Sequence, residues 1–481
     1  MKWTALVIFC VCVPLMAPHA PARADLAGDI KAVLQDKYFN KADVGIAIAR
    51  LGDNGSTDIV YRFDSDIPLI PASNLKLLTT SAFLDRFGPD FKFRTLLLHK
   101  DGNLYLIGDG DPTLGDVELL KKVGWDVDTV FRTWAEELKK RNITDVRNVI
   151  VDDGVFDEQF THPNWLDRYR NQRYAAQVGG VNLNANCVDI WVKATSRNAP
   201  VACMLNPDTR YVTIKNQAVT GNENRVGVTR PLGKNDLTVF GEIDQTLGNP
   251  ISVPIEDPPM YAATVLSETL ARSGVSVTGE VRRDRAVHER YGEDLNGWSV
   301  VAALDTRLAT VLDRANKDSV NLYAECLLKR LGHQATDQPG SWANGTAAVG
   351  EFLKAIGVET SQFKLDDGCG LSRENAVSAE ALLKVLIHNY HGPNRDAFVS
   401  SLAVAGADGT FEKRFKSDLK GRVFGKSGYI NNVSALTGYV RTQSERWYAF
   451  SILMNNLPGG TNPTAKTMQE RIVAAIDDNA K

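Results

Sequence analysis

A chain of 481 residues with 43% hydrophobic content has ample apolar material for folded cores, and its length suits about three domains. Lys/Arg and Asp/Glu are interspersed and leave a formal charge of -3, which argues against nucleic acid as a partner. The seven histidines are scattered, and the pair His388-Asn-Tyr-His391 lacks a third ligand nearby, so no metal or other cofactor is expected.

In chain order, Lys2, the apolar run 4–16 and Ala22-Arg23-Ala24 read as an export signal cleaved to leave Asp25 first. The other reading is a membrane anchor. The run is shorter than the roughly 20 residues needed to span a bilayer, and it contains Pro14. No later stretch is long and apolar enough to cross, so the mature chain is expected to be soluble.

A helix is predicted over 29–38, then a strand pair at 44–49 and 57–62 around Asp53-Asn-Gly55. Ile70-Pro-Ala-Ser73 leads into a helix that runs to Phe87 and stops at Gly88-Pro89. A hairpin (94–98, 104–107), a helix at 130–141 and a strand at 146–151 follow. Residues 174–242 read almost wholly as strand and turn, 258–273 as helix and 275–282 as strand. The polar stretch 284–297 reads as a linker, and helices dominate from Trp298. The chain closes on strands at 433–440 and 447–454 and a helix at 464–476.

Cys187, Cys203, Cys326 and Cys369 remain after the signal. If the turn 195–200 is symmetric about Thr195, Cys187 and Cys203 face each other across two strands and oxidise on export, adding ~3 kcal/mol; two buried thiols are the alternative. Cys326 and Cys369 read as unpaired.

Three short motifs carry chemistry: Ser73-Asn-Leu-Lys76, Ser319-Val-Asn321 and Lys426-Ser427-Gly428. Each recurs by chance, as Ser361-Gln-Phe-Lys364, Ser417-Asp-Leu-Lys420 and Ser196-Arg-Asn198 show. At i and i+3 near a helix start, Ser73 and Lys76 share one face, and an amine there can take the serine proton once burial or a cationic neighbour such as Lys426 lowers its pKa. Taken singly, Ser73 is also a reasonable helix cap and Lys76 a solvated surface lysine. Ser319 can relay a proton and Asn321 can hold a substrate amide, although Ser and Asn are ordinary caps too. On an edge strand Gly428 admits a substrate backbone and Ser427 binds a carboxylate; the bland alternative is a β-turn entry.

Together and in this order, the motifs resemble the penicillin-recognising serine enzymes. The gap of about 240 residues between the first two is far longer than in β-lactamases. That gap is similar to the D-alanyl-D-alanine carboxypeptidase/endopeptidases of the penicillin-binding protein 4 type, the class C low-molecular-mass penicillin-binding proteins. So are the stretches Gly108-Asp-Gly-Asp-Pro-Thr-Leu114, Asp366-Asp-Gly-Cys-Gly-Leu-Ser372, Ala405-Gly-Ala-Asp-Gly-Thr410 and 433–440.

The resemblance implies a multidomain α/β protein: a penicillin-binding/β-lactamase-like transpeptidase domain, with antiparallel sheet and helices, split by a large β-rich nested insertion. The expected division is a signal peptide at 1–24, a penicillin-binding domain at 25–92 and 296–481, a second domain at 93–173 and 246–295, and a third at 174–245. Ser73 would be the nucleophile and Lys76 its base, Ser319 and Asn321 the relay and amide anchor, and Lys426 and Ser427 the electrostatic and carboxylate-binding pair. Backbone N–H groups of Ser73 and Tyr429 would form the oxyanion hole, and Asp152, in preference to Asp153, would reach from the insertion toward the lysine. Tyr429 stands where the family usually has Thr, and Cys369 where it usually has Ser.

The implied activity is periplasmic hydrolysis of D-Ala-D-Ala ends or D-amino-acid cross-links in peptidoglycan, with β-lactam antibiotics as acylating inhibitors. The alternatives are a β-lactamase-like hydrolase or a non-catalytic peptidoglycan-binding protein. Peptidoglycan stem peptides and cross-links are the expected partners; loose membrane association and homo-oligomerisation stay open.

Overall fold

The computed structural model describes residues 25–480 apart from 416–417 and 460–461, so the proposed export signal lies outside the described residues. Its frame is a six-stranded antiparallel sheet in the order Ala403–Val404, Val423–Ile430, Val433–Arg441, Trp447–Asn455, Asp43–Leu51, Thr57–Phe63. The two ends of the chain meet in its middle, where Ile46 lies opposite Ile452 and Ile48 opposite Phe450.

The apolar run of Asp43–Leu51 follows from burial on both faces. Ile46 and Ile48 join one core with the outer helices Leu26–Leu34 and Asn462–Asn479. Ala47 and Ala49 join another, with helices Leu75–Phe87, Asn321–Thr336 and Ala379–His391. Alternation along a strand sends neighbouring side chains to opposite faces, so isoleucine fills one side and alanine lets helices approach on the other.

A five-stranded sheet runs Val281–Arg283, Val149–Asp152, Asn103–Gly108, Lys92–Lys100, Ser299–Arg307. Its last two strands pair antiparallel, so the chain leaves the helical layer and re-enters it side by side. The stretch read as a linker instead carries the helix Val287–Glu293, whose Val287 packs against Leu98, Ile107 and Ile150. Smaller sheets between residues 187 and 254 share one core with helices Thr129–Lys140 and Pro258–Arg272. No helix among the described residues is long and apolar enough to cross a membrane.

The inserted residues are tied to the helical layer by buried polar contacts. Arg314 grips Asp116 at 2.8 and 3.1 Å, and the Tyr323 hydroxyl donates to the same carboxylate at 2.5 Å. Lys329 donates to Asp157 at 2.7 Å. Hydrogen-bonded in this way, buried charges hold a geometry that a purely apolar contact would leave free to slide.

The expected disulfide does not form. Cys203 lies opposite Val192, whereas Cys187 pairs with Pro254 on the other side of its strand. Five residues of strand therefore separate Cys187 from the position facing Cys203, about 16 Å at 3.3 Å per residue. The turn is centred between Arg197 and Asn198 and not on Thr195, since Lys193 pairs with Ala202; within it the Thr195 hydroxyl donates to the Pro200 carbonyl at 2.8 Å, while the Thr195 N–H is held by Thr220. All four described cysteines are free, and burial pushes the Cys187 thiol up to about 12. Alkylation of the denatured, unreduced protein is expected to modify both Cys187 and Cys203 in peptide mapping; a Cys187–Cys203 cross-linked peptide would contradict this register.

Candidate active site

Ser73 sits in one turn of 3₁₀ helix, Ala72–Asn74, that runs straight into the helix Leu75–Phe87. No side-chain cap bond is made at this helix start, so the Ser73 hydroxyl is not used as a cap. The turn is strained, with Ala72 at φ +45°, a region a residue with a Cβ visits only when its surroundings impose it. The surroundings do so: Asn74 donates to Thr437 at 2.7 Å, and Asn455 brackets Ile70 with bonds of 2.9 and 3.0 Å.

Two glycines let other segments close on this turn. A Cβ on Gly370, at φ +83°, would lie 1.9 Å from the Ala72 carbonyl oxygen, and one on Gly428 would lie 2.9 Å from the Pro71 oxygen and 3.0 Å from the Ser73 nitrogen. Strand and loop thus hold the serine between them.

One helical turn on, the Lys76 amine is fully buried. It lies 3.0 Å from Ser73 Oγ, 2.7 Å from Asn321 Oδ1 and 2.9 Å from the Cys369 carbonyl. Burial lowers its pKa, while Cys369, Asp367 and Glu325 oppose that shift. Lys426 does not carry the effect expected of it. It is itself buried and depressed well below the usual lysine value, first by desolvation and then by the charge of Lys76.

The second and third motifs meet through Lys426, which donates to Ser319 Oγ and to the Ser427 carbonyl, each at 2.8 Å. Ser319 adopts φ +60° between the helices Leu308–Asn316 and Asn321–Thr336. Asn321 opens the second of these, and its Nδ2 donates to the Tyr174 carbonyl at 2.7 Å. A substrate amide would therefore compete with that carbonyl. Lys426 lies mid-strand in Val423–Ile430, and the outer neighbour of that strand reaches only to Gly425. From Lys426 onward one edge is open to an extended peptide.

Ser73, Ser319, Asn321 and Tyr429 line one cavity of 370 Å³, with Gly370, Leu371, Ile430 and Asn431. Its remaining wall is Tyr169 and Tyr174, inserted residues whose rings meet edge to face at 5.5 Å. Sequence reasoning missed these two, because an irregular segment of short 3₁₀ turns carries no periodicity. Tyr429 is 52% exposed at the mouth. Ser427 is half-buried on the same strand. A larger cavity of 660 Å³, lined in part by His288 and His333, contains none of the motif residues.

Asp152 does not reach the lysine. Ending a strand inside the five-stranded sheet, it accepts from the backbone of Gly154 at 2.8 Å and from both the backbone and Nδ1 of His288, at 2.6 and 2.8 Å. Asp153 is turned to Arg283 at 3.3 Å, and burial pushes its carboxyl up to about 6. Tyr174 is linked to Lys76 indirectly: Asn321 donates to the Tyr174 carbonyl and accepts from the lysine amine.

Beneath the site, Glu325 lies one turn after Asn321 and accepts from Gly368 N–H and Trp342 Nε1. Asp367 accepts from Gly370, Ser372, Asn375 and Trp165. These bonds shape the turn that offers the Cys369 carbonyl to Lys76. Burial and the charge of Asp367 push the Glu325 carboxyl up to about 7. The Cys369 thiol lies 3.8 Å from Asp367, with its pKa raised by burial, so its carbonyl and not its sulfur serves the site. Glu325, Asp367 and Cys369 bring potential ligand atoms within 4.8 Å of one another, but the carboxylates already accept N–H donors and the thiol stays protonated, a set suited to scaffolding.

Of the decoys, Ser361 and Lys364 straddle a 3₁₀ turn and a two-residue strand, with Lys364 paired to Glu374 at the surface. Ser417 lies outside the described residues. His388 and His391 diverge to Asp85 and Thr57. Replacing Gly428 by alanine is expected to slow acylation of Ser73 by a penicillin on the order of 100-fold, because the added methyl displaces the serine turn. Stopped-flow acylation with circular dichroism as the fold control checks this.

Comparison with known proteins agrees with this geometry. The family model described as D-Ala-D-Ala carboxypeptidase 3 (S13) matches residues 26–478. A D-alanyl-D-alanine carboxypeptidase of Actinomadura sp. (strain R39) is 29% identical, with 97% of this chain and 87% of that protein covered. The crystal structure of penicillin-binding protein 4 (dacB) from Haemophilus influenzae superposes with a TM-score of 0.75 at 22% identity, covering 92% of this chain and 98% of that one. A second crystal structure of the same protein, complexed with a β-lactam, gives 0.71 at 21% identity over 93% and 98%. The serine beside a buried lysine, the open strand edge and the family match along nearly the whole length place this chain in the D-Ala-D-Ala carboxypeptidase 3 (S13) family, on the penicillin-binding protein 4 fold.

Proposed function

We propose that the chain is an exported serine peptidase that cleaves D-Ala-D-Ala ends or D-amino-acid cross-links of peptidoglycan through a Ser73 acyl-enzyme, and that β-lactams acylate the same serine. The observation that carries this reading is the 3.0 Å approach of a fully buried lysine amine to the serine oxygen. Serine is a poor nucleophile until an adjacent base takes its proton, and a desolvated lysine is neutral often enough to do so.

Neutral Lys76 takes the Ser73 proton as Oγ attacks the carbonyl carbon of the penultimate D-alanine. The resulting oxyanion is held by the N–H groups of Ser73 and Tyr429. Through the Lys426–Ser319 contact a proton passes to the leaving amine, the C–N bond breaks, and the terminal amino acid departs. Water then attacks the ester and Ser73 recovers its proton. The extended substrate backbone lies along the open edge past Gly428, with its carboxylate toward Ser427 and its stem against Tyr169, Tyr174 and Tyr429. Export to the periplasm rests on the leader pattern of residues 1–24. The split into a penicillin-binding domain and nested insertions belongs to the same proposal, with the strand Ser299–Arg307 counted with the insertion because it pairs there.

Fluorescent penicillin is expected to label the wild-type protein covalently and to leave Ser73→Ala unlabelled; equal labelling of the two would refute the assignment. The acylation rate should rise with pH as Lys76 loses its proton, with a midpoint below the ordinary lysine value of about 10.4. A rate profile that is flat in pH would remove Lys76 as the base.

A further inference from the structure

Eight tryptophans occur in the sequence, and among the described residues two of them rank as exposed: Trp125 at 46% and Trp191 at 38%. They lie in different elements, Trp125 in the loop before helix Thr129–Lys140 and Trp191 on the strand Cys187–Lys193, yet both line one cavity of 340 Å³. An exposed indole loses the gain of burial, so two converging on one hollow mark a surface that awaits a ligand. The volume falls within the roughly 300–1,000 Å³ of ordinary small-molecule sites.

Polar groups complete the wall. Asp189 is 4% exposed and is held by Ser252 and by Asn184 Nδ2. Arg173 makes no side-chain hydrogen bond or ion pair among the described residues and also faces the cavity. Glu118 and Lys121 neutralise each other at 2.7 Å, and Arg132 offsets Asp126. The site is therefore close to neutral, with aromatic planes, carboxamides and a few charged donors. That chemistry suits a neutral sugar, whose axial C–H faces stack on the electron-rich face of an indole while its hydroxyl and acetamido groups bond at the rim. It suits a polyphosphate or a nucleic acid poorly.

Position adds a reason for a particular sugar. Arg173 and Tyr174 are consecutive on the 3₁₀ turn Arg173–Ala175; the first borders this cavity and the second borders the cleft of Ser73. A peptide attached to a sugar in the first site has to cross this turn to enter the second, and five extended residues span roughly 17 Å. We infer that the cavity between Trp125 and Trp191 binds the β-linked amino-sugar strand of peptidoglycan, so that the insertion holds the glycan while Ser73 works on its stem peptide. This rests on the peptidoglycan reading given above.

The test separates the two. Glycan strands stripped of stem peptides by an amidase are coupled to beads and sedimented with the full chain, and penicillin labelling of Ser73 is measured in parallel. Wild type and Ser73→Ala are expected to co-sediment, whereas Trp125→Ala combined with Trp191→Ala should bind on the order of tenfold more weakly or worse and still label with penicillin at the wild-type rate. As a second measurement that needs no variant, titration of the wild type with a soluble tetramer of N-acetylglucosamine should shift its tryptophan emission. Wild type that ignores the stripped strands, a double variant that binds them equally well, or emission unmoved by the tetramer would overturn the glycan site. Loss of penicillin labelling in the wild type would instead overturn the catalytic reading.

Discussion

An amine with no access to water is the constraint around which this molecule is arranged. A lysine ammonium is costly to bury without partners, and Lys76 is given three oxygens at 2.7–3.0 Å from three separate parts of the chain. One comes from Ser73 in the 3₁₀ turn just before its own helix, one from the start of helix Asn321–Thr336 and one from the Cys369 carbonyl. The last requires a tight turn, and the turn in turn requires Asp367 and Glu325 beneath it to accept its N–H groups. The strain at Ala72 and the bare α-carbons of Gly370 and Gly428 follow from the same demand, since three segments have to close on one side chain.

The helix Asn321–Thr336 also joins the catalytic layer to the inserted residues. Asn321, Tyr323 and Lys329 project from it to Tyr174, Asp116 and Asp157 respectively. Trp165 reaches back to Asp367, and His162 to the Asp366 carbonyl at 2.8 Å. The insertion is thus fastened to the same turn that positions the lysine, and it supplies Tyr169 and Tyr174 as a wall of the cleft. Those two rings bound the space beside Ser73.

Much of the frame was legible in the residues. The continuous apolar run at 44–49, the Asp-Asn-Gly turn and the mostly apolar stretches at 433–440 and 447–454 report local geometry, and the strands fall where those patterns are. Ser73 stood out from its decoys by what surrounds it, Ile70-Pro-Ala leading into a helix that the structure buries on every side from Leu75 to Leu84. Asp152 was misjudged because position in a motif says nothing about which face of a buried sheet a side chain takes, and a neighbouring helix offered it His288. The cysteine pairing failed for a related reason: strand register depends on where a turn is centred, and this one is centred between Arg197 and Asn198, which puts Val192 and not Cys187 opposite Cys203.

By itself the sequence determined the order of the three motifs, the helix that places Ser73 and Lys76 one turn apart, and the long interval that makes room for an insertion. These are local or countable properties, set by residue type and spacing. Only the tertiary structure decided that burial, more than a neighbouring cation, depresses Lys76, that Cys369 contributes a carbonyl, and that tyrosines of the insertion close the cleft. Each of these depends on which distant segments exclude water from the same point, and no spacing along a chain encodes that.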